Sequence, residues 1–133
     1  MSVSEKLFEG LISSQGKRGY CFKLTDAKEV IGTNKRKGLK TKPQPCDYLV
    51  VLHKQMFTAE VKESENPTRF PLSNIRPGQL AHARMIHAAG GAYFFFLYQL
   101  KTGTWFKVPA PVIYDHPGRS IAWTELQPYV WSV

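Results

Sequence analysis

The chain has 133 residues, 43% of them apolar, enough for one hydrophobic core but short for two domains of ordinary size. That apolar share excludes a disordered polypeptide. Lys and Arg outnumber Asp and Glu by 18 to 10, a net charge of +8 that points to a polyanionic partner, nucleic acid foremost. Ser4 is placed to cap a first helix over residues 5–12, with Phe8, Leu11 and Ile12 at helical spacing and Gly16 and Gly19 beyond its end. Tyr20 to Leu24 alternates as a first strand. Residues 25–46 are polar and basic and close on Pro43-Gln44-Pro45. They predict a protruding loop that presents Lys35, Arg36, Lys37, Lys40 and Lys42.

Tyr48 to Leu52 and Met56 to Lys62 read as two strands paired through the polar turn His53-Lys54-Gln55. Glu65 to Leu72, with two prolines, reads as an irregular connection. A second helix is expected from Pro77, where a missing backbone N–H costs little, to Gly90-Gly91. Leu80, Ala83 and Ile86 share one stripe of it, away from Gln79, His82 and Arg84. The unbroken apolar run 92–98 suits a central strand covered on both faces, so its aromatic residues belong to the core. A further strand covers Thr104 to Val108. Ser120 to Trp123 is followed by a short helix capped by Thr124. This order predicts a single α/β domain over residues 1–133, with a mixed sheet flanked by helices.

Two cysteines, Cys21 and Cys46, lack the CxxC spacing of a zinc site and read as free thiols near strands. No secretory signal is visible, and the longest apolar run is far short of a bilayer span. A cytoplasmic setting without a membrane partner is expected.

The chemistry concentrates around Asp47 and the strand Met56 to Lys62. Strand alternation sends Glu60 and Lys62 to one face, while Phe57, Ala59 and Val61 take the other. Asp47 opens the neighbouring strand, so both carboxylates can converge on a point suited to a divalent cation. The ordinary alternative is a surface Glu–Lys pair of little energetic weight. His82 and His87 lack a partner acid at useful spacing, and neither a Ser-His-Asp order nor a Gly-rich phosphate loop occurs.

Asp47-Tyr48, Ala59-Glu60-Val61-Lys62-Glu63-Ser64, Thr68-Arg69-Phe70-Pro71-Leu72-Ser73-Asn74, Gln79 with His82, and Gly118 to Leu126 together resemble the RecU family of Holliday-junction resolvases. The resemblance implies a restriction-endonuclease-like fold of the PD-(D/E)XK superfamily. It implies a Mg²⁺-dependent endonuclease, with Mn²⁺ as a substitute, acting on branched or four-way DNA as a homodimer. Asp47, Glu60 and the Val61 carbonyl would hold the ion, because magnesium takes oxygen ligands and keeps several waters. Lys62 would orient the attacking water or stabilise charge on the phosphate. Glu9 of the first helix is the expected further ligand, with Glu5 one turn earlier as its rival. Gln79 would bond the scissile phosphate or a water of the ion.

The five basic loop residues, with Thr68, Arg69 and Ser73, would contact phosphates without reading sequence. Two departures from the family pattern stand out. The Pro-Asp pair is split as Pro45-Cys46-Asp47, and segment 25–46 is shorter than the stalk of cellular members, as suits a phage-encoded one. Other readings are a nuclease for other branched or single-stranded DNA and a non-catalytic DNA-binding module.

Overall fold

The computed structural model describes residues 2–24 and 44–133. Helix α1 spans Val3–Ser13, and strand β1 spans Gly19–Lys23 after a 3₁₀ turn over Gly16–Arg18. Strands β2 (Tyr48–Leu52) and β3 (Gln55–Ser64) form a hairpin, and β4 is the short segment Arg69–Pro71. Helix α2 covers Pro77–Ala88. Strands β5 (Tyr93–Gln99) and β6 (Thr104–Pro109) follow it, then α3 (Ala110–Tyr114), β7 (Ser120–Ala122) and β8 (Val130–Trp131). Two 3₁₀ turns, Leu72–Asn74 and Trp123–Tyr129, complete the order.

Six strands make a mixed sheet in the order β1-β2-β3-β5-β6-β8. Among the described residues, its single parallel pair is β3 with β5, from Thr58 opposite Tyr93 to Ser64 opposite Gln99. A parallel pair needs a crossover, and β4 with α2 supplies it. The expected central strand is therefore β5, and it is covered on both faces. Phe95 and Leu97 pack toward α2 and α3 with Phe106, Val108 and Trp123. Phe96 packs toward α1, among Phe8, Ile12, Tyr48, Val50 and Trp105. Trp105 and Trp123 are core residues, and Trp131 packs partly buried against the α1 side.

Three local readings are corrected. Ser2, not Ser4, caps α1: its hydroxyl accepts from the Glu5 N–H at 3.1 Å. Ser4 is buried instead, with its N–H and hydroxyl donating to Glu63 Oε1 at 3.0 and 2.7 Å. The β2–β3 turn is tighter than expected, two residues long, with His53 and Lys54 at φ of 49° and 69°. Such primed turns match the strand twist but favour Asn or Gly, so this one is strained. Finally, the stretch 65–72 contains a strand. β4 pairs with β7 in a separate two-stranded sheet, Phe70 opposite Ile121, and buried Phe70 stands 5.7 Å from the Trp123 ring. The loop residues Lys35, Arg36, Lys37, Lys40 and Lys42 lie outside the described residues. Among the described residues, no helix is long and apolar enough to cross a membrane.

Phe8 ties α1 to the sheet: it is fully buried, 4.8 Å from Phe96 and 5.3 Å from Tyr48 between ring centroids. Phe8→Ala is expected to cost about 3–5 kcal/mol, as a large-to-small change in a closed core does. Urea unfolding measures it; a loss below about 1 kcal/mol would mean α1 is not seated by this contact.

Candidate active site

Asp47 is fixed by backbone bonds on both sides. Its N–H donates to Ala59 O at 3.1 Å, and its carbonyl accepts from Leu24 N–H at 2.8 Å. The Tyr93 hydroxyl donates to Pro45 O at 2.7 Å and holds the turn before it. The Asp47 carboxylate then reaches past the start of β2 and accepts from the Val61 N–H at 2.9 Å. A strand residue directs its N–H and C=O toward the same edge, so the Val61 carbonyl faces the Asp47 side as well.

Glu60 lies on the opposite face from Phe57, Ala59 and Val61, as alternation requires, and is only 1% exposed. Its Oε1 accepts from Gln79 Nε2 at 2.6 Å and stands 3.6 Å from Lys62 Nζ. Gln79 is itself anchored, because its Oε1 accepts from the Arg76 N–H at 2.9 Å at the start of α2. One amide therefore closes the first turn of the helix and holds the buried acid. Asp47, Glu60, Lys62 and Gln79, separated by up to 32 positions in sequence, meet at one point.

The electrostatics of that point are unfavourable without a cation. Burial, then the charge of Asp47, pushes the Glu60 carboxyl up to about 8, against the pull of Lys62. Burial also raises Asp47, opposed by the Val61 N–H. The two carboxyls are hydrogen-bonded partners, an arrangement that raises Glu60 and lowers Asp47. Like charges this close cannot both ionise freely, and a proton shared between them stands where positive charge is needed. The oxygen-only donor set, two carboxylates with a backbone carbonyl, fits a hard divalent cation that keeps waters in its remaining positions. Among the described residues, no group of three or more His, Cys, Asp or Glu side chains forms a ready-made metal cluster. The fit is therefore to a half-site. Cys46 adds no ligand, since its thiol donates to Tyr48 O at 3.3 Å and burial pushes it up to about 12.

The two acids of α1 behave differently. Glu9 accepts from the Tyr48 hydroxyl at 2.6 Å, and its charge acts on Tyr48 and Cys21. Glu5 is the helix acid whose charge bears on Asp47. Its carboxylate is held by the Ser2 hydroxyl at 3.2 Å and Lys23 Nζ at 3.1 Å. Lys23 is therefore a residue of the site's surroundings that sequence reading passed over, and it pairs with Glu5; Glu63 stood in the quoted motif, but its seating of the start of α1 was not foreseen. The only sequence signals of these contacts were closeness to Asp47 in the strand register and to the Glu60–Lys62 pair.

The three phosphate-contact residues expected after β3 are exposed, but not equally free. Arg69 donates to the Ser120 hydroxyl at 2.7 Å and to its carbonyl at 3.1 Å, which stitches β4 to β7. Thr68 bonds Asn66 through its N–H and hydroxyl at 3.0 and 3.3 Å. Ser73 lies exposed in the 3₁₀ turn after β4.

The raised Glu60 carboxyl predicts a pH dependence for the metal-free protein. A folded-state value of about 8, above the usual 4.5, means the protonated acid favours the fold. Its contribution is complete below the ordinary glutamate range and is lost as pH rises through about 8. Melting temperatures in EDTA should fall across that window, and Glu60→Gln should flatten the slope. An unchanged slope in the variant would contradict the buried, proton-sharing pair.

A search of curated proteins finds no match. Among solved structures, the chain is similar to Hjc, a Holliday junction resolvase from the archaeal hyperthermophile Archaeoglobus fulgidus. The TM-score is 0.58 at 10% identity, covering 99% of this chain and 93% of that one. At that identity the likeness shows the fold, the resolvase-type mixed sheet with helices on either face. The family model described as Recombination protein U matches residues 19–125, a span that takes in β1, the Asp47–Glu60–Lys62 cluster, Gln79 and the β4–β7 sheet. The chain belongs to the RecU family.

Proposed function

We propose that this protein is a divalent-metal-dependent DNA endonuclease that resolves Holliday junctions by paired, symmetric nicks. The observation that carries the reading is the convergence of Asp47, Glu60, Lys62 and Gln79 within a RecU chain. Asp47, Glu60 and the Val61 carbonyl hold Mg²⁺, or Mn²⁺ in its place, and Glu5 rather than Glu9 is the acid α1 adds. The choice follows from Glu9's bond to Tyr48 and from the action of Glu5 on Asp47. When bound, the ion supplies positive charge against the scissile phosphate and lowers the proton affinity of water.

The chain's own groups do the positioning. The Val61 N–H orients the Asp47 carboxylate, and Gln79 fixes the rotamer of Glu60. Lys62, half-buried beside Glu60, directs a compact positive charge at the phosphate and orients the attacking water. Lys35, Arg36, Lys37, Lys40, Lys42, Thr68, Arg69 and Ser73 supply phosphate contacts that add affinity without reading bases. A non-catalytic binding module has no use for a buried Glu60 and a half-buried Asp47 facing a polyanion, because they repel it unless a cation neutralises them.

Cleavage of a labelled four-way junction tests the reading, with duplex, flap and single-stranded controls in magnesium and in EDTA. Magnesium-dependent paired nicks confined to the junction are expected. Glu60→Gln and Lys62→Ala should each lower the rate by about 10²–10³-fold while junction binding persists. Cutting spread evenly over all substrates would overturn the junction assignment. Folded, DNA-bound protein that cuts nothing with either metal would overturn the nuclease.

A further inference from the structure

The turn that closes the β2–β3 hairpin keeps two long polar side chains in a conformation that Asn-Gly would adopt without strain. His53 and Lys54 hold φ of 49° and 69°. The His53 N–H donates to Arg18 O at 2.9 Å, which locks this turn to the 3₁₀ turn Gly16–Arg18. Between the two turns lies a hollow of about 540 Å³, lined by Lys17, Arg18, Tyr20, Val51, His53 and Lys54. Sites for small organic groups have roughly that size, about 300–1,000 Å³.

Its floor and its rim differ in chemistry. Tyr20 and Val51, cross-strand neighbours, are 61% and 39% exposed and make the floor apolar. Lys17, Arg18 and Lys54 set three positive charges around that floor. Among the described residues, no acid lines the hollow and none of these cations is held in an ion pair.

A flat, exposed ring beside free cations is complementary to one repeating unit, a base with its face uncovered joined to a phosphate. Duplex DNA keeps its base faces in its own stack and offers only phosphates. An unpaired strand offers both, and stacking on aromatic rings with cations along the backbone is how single strands are held without sequence preference. An acidic peptide answers the cations and leaves the ring without a planar partner. The hollow opens on the face of Glu60 and Lys62, because Val51 stands opposite Met56 and Met56 alternates to their side. The length of β2 separates it from Asp47, about 20 Å at the rise of a strand, beyond the reach of any side chain. The hollow is a place apart from the carboxylate centre.

We propose that this hollow binds an unpaired nucleotide of single-stranded DNA, its base stacked on Tyr20 and its phosphates held by Lys17, Arg18 and Lys54. The site itself stands on the hollow, the ring and the charges. Its place in the reaction rests on the nuclease reading above, since a strand held here is one left unpaired about 20 Å from the cut.

Anisotropy of a labelled oligothymidylate with the full chain in EDTA tests the site, beside a duplex of the same length. Tyr20→Ala should weaken the single strand by about 5- to 100-fold, the loss of one base–aromatic stack, with duplex binding kept. Tyr20→Phe, which keeps the ring, should restore the affinity. Lys17→Gln and Lys54→Gln should each reduce the slope of log affinity against log salt by about 0.7. His53→Asn combined with Lys54→Gly relaxes the turn, so it should raise the melting temperature and still weaken the strand. A turn of purely structural use would lose nothing by that change.

A strand carrying iododeoxyuridine, irradiated on the unaltered protein, gives an answer that needs no variant: the adduct should fall on Tyr20. Crosslinks confined to other residues overturn the proposal. So does a Tyr20→Ala chain that binds the strand unchanged, or that loses strand and duplex alike while circular dichroism shows it folded. Displacement of the strand by polyglutamate as readily as by oligothymidylate would also overturn it, in favour of an acidic protein segment. A chain that stacks the strand on Tyr20 but cuts no junction would sink the nuclease reading and leave this site; a junction-cutting chain without the Tyr20 adduct would do the reverse.

Discussion

Two carboxyl groups held against each other at a nearly dry point of the sheet are the constraint on which the rest of this structure turns. Glu60 is almost fully buried and Asp47 is its hydrogen-bonding neighbour, so the pair cannot carry two negative charges without compensation. A protein selected only for stability would place an apolar residue at position 60, where Phe95 is the cross-strand neighbour. Retaining an acid there destabilises the metal-free fold at neutral pH, and function is the reason to tolerate it. On the proposed reading, a divalent cation would remove the conflict and turn it into binding energy.

The surrounding elements serve that point from both faces of the sheet. From one side, α2 delivers Gln79, whose amide bonds its own helix start and Glu60 at once. From the other, α1 carries Glu5, whose charge bears on Asp47, and the helix is seated by Phe8 in the core and by Glu63 receiving the Ser4 N–H and hydroxyl. Glu63 shares the α1 side of β3 with Val61, whereas Glu60 and Lys62 take the α2 side. A single ten-residue strand therefore supplies the buried acid, the lysine and the anchor of the first helix. The Asp47 turn, clamped by Leu24, Ala59 and Tyr93, completes the arrangement.

Much of this was legible because it follows from period two. Alternation along Met56 to Lys62 separated the face of Glu60 and Lys62 from the face of Phe57, Ala59 and Val61, and the unbroken run 92–98 gave the central strand. Proline at 77 gave the start of α2, and the resemblance to RecU picked out Gln79. Contacts decided only in three dimensions were not legible. Glu5 and Glu9 lie one helical turn apart on the same side, and only the Tyr48 hydroxyl and Lys23 tell them apart. The β4 and β7 strands are three residues each, too short for a periodic signal, and β4 contains Pro71. A left-handed turn at His53-Lys54 had no glycine or asparagine to announce it. Ser4 looked like a cap because serine commonly is one, yet it was needed by Glu63.

The claim that a cation replaces a shared proton between Asp47 and Glu60 can be tested without any DNA. Calcium binding should be measured by titration calorimetry at about pH 6, between the usual glutamate value and about 8, in two buffers of different ionisation enthalpy. The account predicts that calcium binding releases up to about one proton, and that Glu60→Gln abolishes both the proton release and most of the affinity. Tight binding with no proton released, or binding indifferent to Glu60→Gln, would show that the ion is held elsewhere and contradict the account.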